Sequence, residues 1–388
     1  MKNSGLIILT VYLCLMFSEK LTAQDSNAFM TPAALKRGQQ ITDEYPISGR
    51  KFAGIPSITV SPEGRMWAIW YSGTTPGEDA NNFVVVSTSG DKGITWKEIL
   101  IIDPDKEGPV RVFDPEVWVD PDGKLWIFWA QTIGHDGTIA GVWSVTAKNG
   151  EKDDTEWSVP RRLTDGIMMC KPLVLSNGNW ILPASTWKLT DNSAKMVVSK
   201  DKGRTWNIQG AADVPKEARA FDEHMIVEKK NGTLWMLVRT TYGIGESFSG
   251  DQGKSWSPLL PSAIKHPSAR FFIQRLKSGN LLLVKHGPIG TKTGRSHLMA
   301  FLSKDDGLSW SRGLLLDERN GVSYPDGQQV KDGTIHLIYD YNRTKEQMIL
   351  MTSFKEEDVF ADDYDNQIIN IFSHRKIVSE NKGTEIKK

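Results

Sequence analysis

Cysteine is nearly absent from this chain. There are two in 388 residues, too few for a disulfide-stapled fold. Cys14 lies inside the single long apolar run, Leu6 to Phe17. That run follows Met1-Lys2, is too short to span a bilayer, and ends near Leu21-Thr22-Ala23. Residues 1–23 therefore read as a cleavable signal peptide, with a membrane anchor as the alternative, and the mature chain is expected to be exported, periplasmic or secreted. Once the signal is removed, Cys170 stands alone, which excludes an intramolecular disulfide and a thiolate metal cluster. No later run is apolar enough to cross a membrane. Charge of one sign is lacking too: 47 basic residues balance 47 acidic ones, which argues against nucleic acid or an anionic membrane recognised by bulk charge. The seven histidines are scattered with no i, i+4 spacing, so no metal is expected. No glycine-rich phosphate loop opens a helix, and no cofactor is expected. Helical periodicity is almost missing, the best stretch being Lys355 to Asp363.

What the chain has is repetition. The phrase Ser-x-Asp-x-Gly-x-Thr/Ser-Trp occurs four times, at Ser89 to Trp96, Ser199 to Trp206, Ser249 to Trp256 and Ser303 to Trp310. The Asp can accept bonds from turn amides, the Gly can take positive φ, and the Trp is expected to return onto its own sheet. A second repeat interleaves with it: a glycine-bearing turn followed by an apolar, often aromatic strand. Its glycines are Gly64, Gly123, Gly178, Gly232, Gly279 and Gly333. A period near fifty with strand-turn-strand content marks a β-propeller with one blade per repeat, so six copies predict an all-β, six-bladed β-propeller over residues 24–388. Blade two carries a degenerate box between Ser144 and Trp157, and blade six carries none. One of the flanks, residues 24 to about 50 or 364 to 388, is expected to supply the strand that closes the ring.

Polar residues at the ends of the apolar strands converge on one mouth of a propeller. Asp222-Glu223-His224 opens a strand of blade four and Arg239 ends its partner strand. Arg295 leads into the fourth box, and Tyr324 follows Gly321-Val-Ser323. With the boxes, this order of Glu, Arg, Arg and Tyr resembles the sialidase (neuraminidase) superfamily, and the resemblance covers roughly residues 50 to 355. It implies a sialidase-like glycoside hydrolase acting on a terminal acidic sugar of a glycan. Tyr324 would be the nucleophile, Glu223 its base and Asp79 the general acid, with Arg239 and Arg295 binding the sugar carboxylate. One departure stands out: Gly54-Ile55-Pro56 sits where the family has Arg-Ile-Pro. Arg50, Lys51, Arg111 and Arg270 are candidate substitutes, Arg270 the favoured one. Asp114, in Asp114-Pro115-Glu116, is expected to bind sugar hydroxyls or cap a turn, and His224 to line the substrate or serve the fold. Lys171, His135, Trp187, His286 and Asp326 occupy similar places. Two rival functions remain at this stage: a carbohydrate-binding propeller without activity, and a propeller glycosidase or lyase for another sugar, such as a rhamnoside or a uronate.

Overall fold

The computed structural model describes residues 25–134, 137, 139–187, 193–361 and 363–381. The signal peptide expected at residues 1–23, and His135, lie outside them. The chain is a six-bladed β-propeller. Each blade is contiguous in sequence, and its strands pair antiparallel from the channel outward. The innermost strands are Phe52–Val60, Val110–Val119, Ile167–Met168, Arg219–Glu228, Phe272–Arg275 and Val322–Gln329. No helix among the described residues is long and apolar enough to cross a membrane.

The hydrophobic core lies mostly in the gaps between blades. Trp67 and Ile69 of blade one, for example, pack with Val117 and Ile127 of blade two. The boxes hold these gaps shut. In the second box Ser199 Oγ donates to Asp201 Oδ1 at 2.8 Å, and Thr205 N and Oγ1 donate to the same carboxylate at 2.9 and 2.6 Å. The turn thus folded lies against the preceding blade rather than only its own. A Cβ on Gly203 would stand 2.9 Å from Trp126 of blade two. The same test brings Gly93 to Met351 of blade six, Gly253 to Met196 of blade three and Gly307 to Trp235 of blade four.

Four inner strands carry a bulge near the mouth. The register shifts between Gly54 and Ser57, Phe113 and Glu116, Arg219 and His224, and Ser323 and Asp326. Each bulge holds one residue at positive φ: Ile55, Asp114, Asp222 and Tyr324. Three of these precede a proline, Pro56, Pro115 and Pro325. A bulge already leaves a ladder bond unmade, so the missing proline N–H costs nothing there. Bulges also re-aim side chains, and these four line the rim of the channel.

Below the rim, side chains from five blades form a buried polar belt. Ser57 Oγ donates to Asp326 Oδ2 at 2.8 Å, Lys171 is ion-paired with Asp326, and Arg270 with Glu116. Among the described residues, strand exchange does not close the ring. Lys376–Glu380 completes blade six as its outermost strand, and Ala34–Lys36 adds a fifth strand to blade one. Neither crosses between the two blades, because each already has its inner strands in contiguous sequence. The seam is stitched by side chains instead: Ile55 N and Ile58 N donate to Asp340 and Asp326 at 2.9 Å, and Val60 N to Gln328 at 2.7 Å. The acidic stretch predicted to be helical forms Glu356–Phe360, and a second helix, Tyr364–Ser373, follows it.

Candidate active site

Tyr324 stands on the blade-six bulge, its side chain 5% exposed. Three guanidinium groups face it. Arg239 Nη1 donates to its hydroxyl at 3.3 Å, and Arg295 and Arg343 lie over its ring with centroid distances of 5.3 and 5.2 Å. Arg239 is also ion-paired with Glu223, so it bridges the carboxylate and the phenol. Glu223 makes no direct bond to the phenol, and its Oε2 has no partner among the described residues. Burial and Glu223 push the Tyr324 hydroxyl pKa up, and the arginines pull it back only in part.

Arg343 was not among the residues expected here. It follows the second strand of blade six, Ile335–Tyr341, and folds back across Gly54 of blade one. A Cβ on Gly54 would lie 2.3 Å from Arg343 Cδ and 2.6 Å from Cγ. The glycine that departs from the Arg-Ile-Pro pattern is thus the space through which another arginine reaches the mouth. Arg239 lies at the end of the second strand of its own blade, whereas Arg343 lies two residues past its strand, and its contact with Gly54 crosses from blade six to blade one. Arg343 bonds Glu78 Oε1 at 2.5 Å, and Asp340, with Oδ2 bonded to Ile55 N, lies beside it.

The loop after the second strand of blade one places its two acids differently. Glu78 faces the cluster, between Arg343 and Arg111, whose Nη2 is 3.2 Å away. Burial pushes its carboxyl pKa up, but the two arginines more than offset this and hold it below the usual range. Asp79 turns back into its own loop. It accepts bonds from Thr75 Oγ1 at 2.6 Å, Asn81 N at 2.8 Å and Asn81 Nδ2 at 3.0 Å. Slight burial raises its carboxyl pKa, and these bonds outweigh it and hold the group low. That geometry does not present a proton to the mouth. Asp114, on the blade-two bulge, is buried, and burial holds its carboxyl well above the usual range, with Arg111 opposing and Glu223 adding to the rise.

Several expected residues lie elsewhere. Arg270, the favoured substitute for the lost arginine, is fully enclosed in the belt and paired with Glu116. Lys171 and Asp326 belong to the same belt. Arg50 is at the outer edge of blade one, bonded to Glu98. His224 has its ring nitrogens 3.1 Å from Asp222 O and 2.8 Å from Lys195 O, tying blade four to blade three. Burial depresses its pKa to about 4, so it is neutral and serves the fold. His286 is buried against His266, ring centroids 5.3 Å apart.

Aromatic rings pack beside the arginines, with Arg239 4.6 Å from the Phe221 ring. Arg111 stacks 3.9 Å from the Phe113 ring, Phe113 meets Trp187, and Trp187 meets Phe221 edge-on. Beside Arg295 and Arg343 opens a cavity of about 330 Å³, lined by Phe52, Pro76, Glu78, Arg295, Ser323 and Arg343 among others; Tyr324, Glu223 and Arg239 lie behind this lining. Larger grooves of about 700 and 760 Å³ open on the other face, among the strand turns, and hold none of this cluster. A concave site with one phenol, converging guanidinium groups and carboxylates can bind an anion in a fixed plane and exchange protons around it.

Comparison with known proteins agrees on the fold. A Hadza microbial sialidase, Hz136, superposes with a TM-score of 0.63 at 19% identity, covering 81% of this chain and 68% of that one. The intramolecular trans-sialidase from Ruminococcus gnavus gives 0.64 at 15% identity, covering 81% and 96%. An α-L-arabinanase from Penicillium chrysogenum gives 0.54 at 12% identity, covering 79% and 94%. No curated protein matches the chain. The BNR repeat-like domain matches residues 64–337, from the first glycine-bearing turn into the second strand of blade six, and the chain therefore belongs to the BNR repeat-like domain family.

Proposed function

We propose that the chain is an exported glycoside hydrolase that removes a terminal sugar carrying a carboxylate beside its anomeric carbon. One observation carries the reading: Arg239, Arg295 and Arg343 converge on Tyr324, with Glu223 held next to it. The guanidinium forks bind the carboxylate in its plane. The attached carboxylate repels an anionic nucleophile, and a neutral phenol avoids part of that repulsion. Tyr324 attacks the anomeric carbon while Glu223 takes its proton, and water then hydrolyses the glycosyl-tyrosine with retention. Arg239 keeps Glu223 and the phenol aligned. The sialidase folds of the similar structures support the class of reaction, and the arginine cluster supports an acidic sugar over a neutral one such as an arabinoside.

The test is release of a fluorogenic aryl group from α-linked sialosides and deaminated sialosides by the protein beginning at Gln24. Release is expected from one of these carboxylated substrates and not from neutral aryl glycosides. Tyr324→Phe should lower kcat by at least ~100-fold, the scale of losing a reacting group. Equal turnover by Tyr324→Phe would refute the nucleophile, and turnover of neutral glycosides alone would refute the substrate class.

A further inference from the structure

The proton donor to the leaving sugar remains to be assigned. Resting on the hydrolase reading above, we propose that Glu78, not Asp79, is that donor, and that the substrate's own carboxylate frees it for the task by taking Arg343. Three placements lead there. Glu78 lines the mouth cavity with its side chain 40% exposed, so it can reach a ligand. Asp79 has both oxygens bonded within its own loop, to Thr75 and Asn81. Asp114 lies on the strand bulge, buried, with Arg111 and Glu223 facing it.

Glu78 is the anion on Arg343, bonded at 2.5 Å. An incoming carboxylate competes for that guanidinium, and Glu78 cannot share it without bringing two anions together. Displaced, Glu78 keeps Arg111 as a cation, but Arg111 is already engaged by Asn82 Oδ1 at 3.1 Å and Tyr71 OH at 3.3 Å. The groups around the displaced carboxyl are then Arg111, Tyr71, Asp114, Asp340 and the substrate anion. With Arg343 taken by the substrate, Glu78 loses one of its two cations and gains a like charge beside it, and both changes favour the protonated carboxyl.

The step balances. Tyr324 Oη bonds to the anomeric carbon and its proton passes to Glu223. The bond from that carbon to the leaving oxygen breaks, and the oxygen takes the proton of Glu78. In the second step Glu78 accepts a proton from water as the water attacks, the Tyr324 bond breaks, and Glu223 returns its proton to the phenol. Asp79 then serves only to fold the loop.

The experiment compares the wild-type protein with Glu78→Gln, Asp79→Asn and Asp114→Asn on two glycosides of one carboxylated sugar. One has a nitrophenol leaving group, which needs little acid help, and the other an alkyl alcohol. Glu78→Gln should lose roughly 100-fold or more on the alkyl glycoside and under about tenfold on the nitrophenyl one. It should also lose the basic limb of the kcat–pH profile, and added azide should restore turnover of the nitrophenyl glycoside as the azido sugar. The azide arm reads the site even where the variant is less stable. Equal losses on both glycosides would make Glu78 a binding group and overturn the proposal. So would the leaving-group pattern appearing in Asp79→Asn or Asp114→Asn instead. Inactivity of the wild-type protein on both glycosides refutes the hydrolase reading itself, which is a separate result from an active wild type with a silent Glu78.

Discussion

Two residues 289 positions apart decide the character of the mouth. Gly54 has no side chain, and Arg343 occupies the room this leaves. Gly54→Ala tests the relation directly. The closest atoms are Cδ and Cγ of a long, flexible side chain, which can swing away; Asp340 Oδ2, at 3.1 Å, need give only by a few tenths of an ångström. Thermal stability should stay close to wild type while kcat/KM for a carboxylated glycoside falls. A lost charge-assisted contact is worth about 1.5–3 kcal/mol, or roughly 10- to 150-fold. Arg343→Ala should give the same loss, and the double variant should lose no more than either alone, since both remove one interaction. Additive losses would show that Gly54 acts through something other than Arg343. The strand-end pattern made Tyr324, Glu223, Arg239 and Arg295 legible in the sequence. Arg343 was hidden because its role depends on blade six closing against blade one, and no spacing within either repeat records that contact. Arg270 misled for the related reason that a strand-end position does not say whether a side chain points up into the mouth or inward to the belt.

At the scale of the element, the boxes do more than turn a hairpin. Their phrase was fully legible, as was the number of blades, because each repeat carries its own turn chemistry. Where the turn docks was not: the sequence pattern placed each Trp on its own sheet, whereas each box glycine sits against the preceding blade. Trp206, for example, packs against a cluster that holds Trp126 and Phe128 of blade two as well as Trp180 of its own blade. Gly203 shows why the phrase tolerates no side chain there. Its φ is +79°, and an added Cβ would meet Trp126 at 2.9 Å and Trp180 at 3.1 Å, both rigid rings. Gly203→Ala combines left-handed strain of about 1–2 kcal/mol with overpacking of about 1–3 kcal/mol. Urea unfolding should show a stability loss of roughly 2–5 kcal/mol, with KM unchanged, because the box lies far from Tyr324. A neutral result would mean that the box and the preceding blade are not packed as tightly as this geometry has them.

The whole ring depends on a seam that no strand among the described residues crosses. Asp326 is its central fastening: one oxygen accepts Ser57 Oγ at 2.8 Å and Ile58 N at 2.9 Å from blade one, and is ion-paired with Lys171 of blade three. The pair is buried, with side-chain exposures of 0% for Asp326 and 9% for Lys171. Removing one partner of such a pair strands the other charge away from water, which costs about 3–5 kcal/mol, whereas replacing both with apolar groups is often close to neutral. Asp326→Asn should therefore lower stability by that amount, and adding Lys171→Met should recover much of the loss. The recovery should be incomplete, because the Ile58 amide and Ser57 hydroxyl belong to the seam and not to the ion pair. Hydrogen exchange separates the two contributions. In the double variant the Ile58 amide should exchange faster than in wild type, while amides at the box turns of blades three and four keep their protection. Exchange that quickens evenly around the ring would mean the blades share the strain, and that closure has no weak joint between the first blade and the last.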